Sequence, residues 1–258
     1  MKIQLPLNYQ FRETLSFDNF LVSSNAELIK TLKSMVNNPE PQAVFVWGVP
    51  GSGRSHLCQA LYLKIEESLK IEESLKIEES LENEEPHKAE DKNAKVAYLA
   101  LSEQGIEPEV LSQLEHFSLV ILDDIDIVLG KKVAGDVQWD EALFHFYNRI
   151  KEANGSLLMT STKAPASFES VLPDLKSRLG WDLVYQLEEL SDVDKVQGLQ
   201  RRAADRGLNL SLEAGQYLLN RLPRDTHQLF AILEQLDHQS LIQKRSLTVP
   251  FIKKVLKL

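Results

Sequence analysis

At 258 residues, with 43% apolar and 26% charged side chains, the chain can bury one large core or a medium and a small one. No apolar run approaches the ~20 residues of a membrane span, and a single cysteine, Cys58, excludes an internal disulfide and any multi-cysteine metal site. The net charge of −9 is uneven: residues 64–92 hold 11 acids against 5 lysines, whereas residues 195–258 carry 11 Lys/Arg against 5 Asp/Glu. A basic C-terminal part either faces DNA or an acidic protein, or is a solvated helical surface.

Residues 1–20 show no clear period and are expected to form a tail. The opening Met1-Lys2-Ile3-Gln4-Leu5-Pro6-Leu7 lacks the long apolar core of a signal peptide, so a cytoplasmic location is expected. Helical spacing runs from Asn25 to about Val36. Short apolar runs then alternate with helical stretches: 44–47, 96–99, 119–122, 157–159 and 184–187. Nearly continuous apolar runs suit strands buried on both faces, and the alternation suits parallel β/α units. After Leu190 the strand signal stops. Ser191 with Asp194, Ser211, and Thr248 just before Pro250 are helix-start signals. The expectation is an α/β base over residues 21–190 and a small all-helical lid over 191–258.

One segment is anomalous. Lys-Ile-Glu-Glu-Ser-Leu occurs in tandem at 64–69, 70–75 and 76–81. The residues favour helix, but a six-residue period advances a helix by roughly 240° per repeat, so Ile65, Ile71 and Ile77 point in three directions and form no buried stripe. The segment 64–94 reads as an insert: a helical extension projecting into water, followed by a polar loop.

Gly48-Val49-Pro50-Gly51-Ser52-Gly53-Arg54-Ser55 follows an apolar strand and opens a helix. It fits the phosphate-binding loop G-x-x-x-x-G-K-[ST], with Arg54 in place of the lysine. The glycines let backbone N–H groups turn inward around phosphate oxygens, the helix N-terminus adds partial positive charge, and Ser55 would sit on Mg²⁺. Further along, Leu119-Val120-Ile121-Leu122-Asp123-Asp124 fits the second half of such a site: one acid supports Mg²⁺ and its neighbour polarises water. Arg54 keeps the positive charge but is not a compact ammonium on a flexible stem. ADP or ATP binding is therefore expected to survive while fast hydrolysis is not.

Gly48 to His56, with its Gly-Arg-Ser-His ending, resembles the Hda branch of the DnaA-related AAA+ proteins, regulators of bacterial replication initiation. So do Trp139 to Arg149, Leu172 to Trp181 and Leu247 to Lys253. The likeness covers nearly everything outside 64–94, and Ser177-Arg178-Leu179-Gly180-Trp181 is specific to the group. It implies an AAA+ base with a helical lid that binds ADP or ATP, with His56 joining the loop residues. It implies attachment to the DNA polymerase III sliding clamp (its beta subunit) through Gln4, Leu5, Pro6 and Leu7, and contact with DNA only indirectly, through the clamp. It further implies stimulation of ATP hydrolysis by DnaA, with Arg178 as an arginine finger acting in trans. Thr160-Ser161-Thr162 falls at the first sensor, where Thr162 replaces a frequent Asp. His227 falls at the sensor arginine of the lid, with Arg224 one helical turn away. A homo-oligomer is a further candidate assembly. An initiator of this group would carry a C-terminal helix-turn-helix domain, so a chain read as ending at Leu258 is expected to be a regulator.

Two other functions compete. An independent motor or helicase loader would want a lysine at position 54 and robust turnover alone. A plain adaptor would keep a degenerate nucleotide pocket for structure only, and would have no use for Arg178.

Overall fold

In a computed structural model, residues 15–37, 40–82, 96–130, 139–169, 171–222, 226–243 and 246–257 are described, with the backbone alone for 72–82 and 226–227. All five apolar runs form strands: β1 (Ala43–Trp47), β2 (Val96–Ala100), β3 (Leu119–Asp123), β4 (Ser156–Ser161) and β5 (Leu183–Gln186). They make one parallel sheet in the order β2-β3-β4-β1-β5. In the described part of the base the helices are α1 (Ala26–Asn37), α2 (Arg54–Glu82), α3 (Trp139–Glu152) and α4 (Pro173–Leu179).

Alternation along the strands divides the core. Val44 and Val46 of β1, Leu119 and Ile121 of β3 and Leu158 of β4 pack with α1 and α2. Phe45, Val120, Leu122, Leu157 and Met159 point to the other face and meet Leu143, Phe146 and Ile150 of α3 and Leu175 and Leu179 of α4. Each fully buried Leu, Ile or Phe side chain contributes roughly 1.5–3 kcal/mol relative to exposure, which is why both faces of these strands read as apolar.

The helical C-terminal part comprises α5 (Asp192–Asp205), α6 (Leu212–Arg221), α7 (Thr226–Gln243) and α8 (Val249–Leu256). Three starts follow the capping signals: the side chains of Ser191, Ser211 and Thr248 accept the backbone N–H of Asp194, Ala214 and Phe251. Val196, Leu199, Leu218, Leu233, Leu236, Phe251 and Ile252 form a cluster separate from the two at the sheet. This lid touches the base through the segment before α1: Ser23 Oγ donates to Asp194, Arg201 donates to the Asp18 carbonyl, and a Cβ on Gly198 would lie 2.1 Å from Leu21.

Two features depart from the sequence reading or extend it. Phe17 and Phe20 are each 7% exposed and belong to the α1/α2 core, so the tail expected over 1–20 does not include 15–20. Two aromatics three residues apart can bury from an irregular segment, which a search for periodicity passes over. The insert, by contrast, continues α2 as a single helix about 43 Å long. Leu57, Cys58, Ala60 and Leu61 of its first turns are buried, whereas Ile71 in the second repeat is 55% exposed. No described helix is long and apolar enough to cross a membrane.

Candidate functional site

The loop between β1 and α2 has the backbone a phosphate cradle needs. Gly51 and Gly53 have φ of 81° and 105°, values that side chains with a Cβ rarely adopt. A Cβ on Gly48 would stand 2.7 Å from the Leu187 carbonyl oxygen, so the loop can enter between β1 and the end of β5 only as glycine. Ser52 is 7% exposed, and its Oγ is buried without a hydrogen-bond partner. A buried, unsatisfied hydroxyl at the N-terminus of a long helix is a place for a ligand acceptor. Ser55 lies half-buried in the first turn of α2.

The two acids at the end of β3 are differently placed. Asp123 is 2% exposed; its Oδ1 accepts from Thr160 Oγ1 and, more loosely at 3.8 Å, from the Cys58 thiol, while its Oδ2 accepts from Tyr98 Oη at 2.9 Å. Burial, with Asp123 and Asp124 nearby, pushes the Cys58 thiol well up, so it remains a protonated, packed donor. Asp124 adopts the left-handed conformation (φ 61°, ψ 48°) and donates its backbone N–H to Thr160 Oγ1. Its Oδ1 lies 2.9 Å from Arg54 Nη1. Burial and the charge of Asp123 raise the Asp124 pKa, and Arg54 opposes them. Thr162, in the expected sensor segment, gives both its N–H and its hydroxyl to Asp126. Arg54, Asp124, Thr160 and Asp123 thus form one connected polar layer, and Thr162 with Asp126 forms a separate pair beside it.

His56 is turned away from this layer. Its Nε2 bonds the Ser16 carbonyl at 2.9 Å, and its ring meets Phe20 edge-on. Burial lowers its pKa, opposed by the bond to Ser16. In this conformation the His56 ring ties the entering chain to α2, while its backbone N–H stays in the first turn of that helix. Phe20 closes the same side, with its ring 2.9 Å from where a Gly53 Cβ would be.

Arg178 lies on α4, a helix begun by Pro173 and ended by Gly180. Its guanidinium stacks 5.0 Å from the ring of Trp181, which is 68% exposed. Among the described residues Arg178 makes no ion pair. The neighbouring Asp182 is held by Tyr147 and Lys151 of α3, which fixes the turn that carries Trp181. Leu183 and Val184 of the edge strand β5 are also exposed.

Of the other expected site residues, Gln4, Leu5, Pro6 and Leu7, the side chain of His227, and Arg224 lie outside the described residues. Sequence reasoning did not find Tyr98 and Cys58 as partners in the polar layer, nor Asp126 as the partner of Thr162. Their roles depend on which strand end faces which, and the only linear signal was an acid or hydroxyl near the end of an apolar run.

A nucleotide phosphate fits the cradle on the orphaned Ser52 hydroxyl and the two left-handed glycines. Among the described residues no group of three His, Cys, Asp or Glu side chains is placed to hold a metal. A magnesium ion would therefore rely on Ser55, the acids of β3 and the phosphates it arrives with.

The fold recurs in solved structures. Domain III of the Thermotoga maritima replication initiation protein DnaA has a TM-score of 0.72 at 16% identity, covering 96% of this chain and 97% of that one. AMPPCP-bound DnaA from Aquifex aeolicus has a TM-score of 0.64 at 18% identity over 91% and 69% of the two chains. The Thermotoga maritima RuvB Holliday junction branch migration motor has 0.63 at 12% over 96% and 73%. At such identities the likeness shows the fold alone. Two family profiles carry more: "Hda, lid domain" matches residues 192–256, and "Bacterial DnaA ATPase domain" matches residues 11–186. With the latter profile spanning more than half of its length, the chain belongs to the bacterial DnaA ATPase-domain family of AAA+ proteins and carries an Hda-type lid.

Proposed function

We propose that this chain is a nucleotide-binding negative regulator of replication initiation that binds the sliding clamp and stimulates ATP hydrolysis by DnaA. The observation that carries the reading is the contrast between its two key arginines. Arg54, in the position that normally follows the transferring phosphoryl group, is enclosed and paired with Asp124. Arg178 is presented beside an exposed tryptophan and has no carboxylate partner among the described residues. Such a chain hydrolyses ATP slowly by itself but supplies a guanidinium to a neighbour's γ-phosphate.

In its own site, Gly51, Ser52, Gly53 and the first turn of α2 bind and orient the phosphates. Ser55 and Asp123 are the residues that would hold Mg²⁺. When bound, the ion would neutralise phosphate charge. Asp124, the residue placed to polarise water, has its charge balanced by Arg54. The finger role rests on planar geometry, since a guanidinium can contact two phosphate oxygens where an ammonium is a point charge. Gln4, Leu5, Pro6 and Leu7 make the clamp contact as a short extended peptide with apolar anchors.

The engaged acids also favour a second reading, an adaptor whose pocket is purely structural. A mixed assay separates the two: this protein, DNA-loaded clamp and ATP-bound DnaA, scored for ADP formation. The proposed function requires accelerated ADP formation that depends on the chain and on the clamp. No acceleration would leave the adaptor reading standing.

A further inference from the structure

The contact between Arg54 and Asp124 joins two motifs that ordinarily serve a nucleotide separately. Arg54 is 8% exposed, and its side chain reaches from the first residue of α2 to the end of β3. At 2.9 Å the contact is close, but neither Nη1 of Arg54 nor Oδ1 of Asp124 makes a well-aligned hydrogen bond there. The contact is an ion pair, so a stronger anion arriving at the same place can take Arg54 over. The position of such an anion is marked independently by Ser52 Oγ, buried and unpartnered two residues before Arg54. Asp124 is held in place from its own backbone, whose N–H is fixed on Thr160. The side of the pair that can yield is therefore the arginine, whose side chain has more rotatable bonds than that of Asp124.

We propose that Asp124 is an internal competitor of nucleotide phosphate for Arg54, a latch that sets how tightly this site binds its nucleotide. The inference rests on the reading of the glycine loop as a nucleotide site and adds to it a residue that controls affinity. Phosphate has to displace a carboxylate before it gains the arginine, so part of the attraction between Arg54 and the ligand is offset by the ion pair lost. The loop keeps its other donors, the backbone N–H groups and the helix N-terminus, whether or not the latch is closed.

Competition for one arginine has a signature that simple repulsion between Asp124 and phosphate lacks. Asp124→Asn keeps the shape and removes the charge. In the full chain, titration calorimetry with Mg·ADP should show about tenfold tighter binding for Asp124→Asn than for the unaltered protein. Arg54→Gln should bind more weakly than the unaltered protein. Adding Asp124→Asn to Arg54→Gln should then change the affinity by less than about twofold, or leave both Arg54→Gln proteins without measurable binding, because no arginine remains to release. Thermal melting of each variant without nucleotide establishes that it is folded; an unfolded Asp124→Asn is replaced by Asp124→Ser, for which the same tightening is required, and an unfolded Arg54→Gln by Arg54→Met, for which the same loss of tightening is required. Three results overturn the latch. Unchanged or weaker binding in Asp124→Asn shows that no competition exists. Equal tightening with and without Arg54 shows plain charge repulsion. Absence of binding in the unaltered protein and in Asp124→Asn alike overturns the nucleotide reading together with the latch, whereas the first two leave that reading intact.

Discussion

Two arginines, both within motifs, have opposite surroundings. Arg54 is enclosed by the polar layer at the end of β3, and Arg178 stands on the short helix α4 beside Trp181. A guanidinium that finds a carboxylate inside its own chain has its charge neutralised there. One stacked on an exposed indole keeps its charge and much of its donor capacity while its orientation is fixed. The comparison teaches that an intact nucleotide motif does not imply a working hydrolytic site, and that the group completing such a site can be offered to another molecule. The largest expected effect is at Arg178, which is half-buried beside the exposed Trp181. Arg178→Ala should lower DnaA-stimulated ADP formation by about a thousandfold or more, the range measured for arginine fingers, with nucleotide binding and melting temperature near those of the unaltered protein. Arg178→Lys should restore little. Full stimulation by the alanine variant would place the finger elsewhere, and outright unfolding would make Arg178 structural.

At the enclosed end the effect should fall on stability. Phe20→Ala removes a ring packed against Gly53 and His56 in the α1/α2 core and should cost about 3–5 kcal/mol in denaturant unfolding, with Arg178 function intact in whatever fraction remains folded. A loss below about 1 kcal/mol would show that the segment before α1 is not part of the core. This segment also shows where the sequence was hard to read. Strands β1, β3 and β4 were legible because burial on both faces leaves continuous apolar runs, the edge strand β5 because its residues are apolar although most of it is exposed, and three lid helices because Ser191, Ser211 and Thr248 cap their first turns in the way their side chains allow. Phe17 and Phe20 were not, since their burial follows from where the entering segment meets α1 and α2 and from no local period. The glycine loop was legible as chemistry, but the closure of Arg54 on Asp124 was not: it joins the first residue of α2 to the residue just after β3, which only the sheet order brings near each other. The bond of the His56 ring to the Ser16 carbonyl was not legible either, because it depends on where the entering chain lies.

Smaller effects are expected further from both arginines. Replacing Leu5 and Leu7 together by alanine should weaken clamp binding by about tenfold or more and leave Mg·ADP affinity unchanged, since two apolar anchors of a short peptide carry most of its binding energy. Unaltered clamp affinity in surface plasmon resonance would assign that contact to another part of the chain. Smallest of all, deleting one Lys-Ile-Glu-Glu-Ser-Leu copy from α2 should move the melting temperature by less than about 2 °C, because the exposed part of that helix has no side to bury. A larger drop would mean that the repeat packs against the body.

The central claim is that this chain's own site is held quiet while its arginine serves a partner. ATP turnover by the isolated, folded protein tests it most directly, measured beside the same preparation mixed with DNA-loaded clamp and DnaA. Turnover alone should lie far below the roughly 10 per second of an ordinary enzyme, and ADP formation should rise in the mixture and fall back with Arg178→Ala. Vigorous turnover by the protein alone, unchanged by the partners, would contradict it and favour an independent motor.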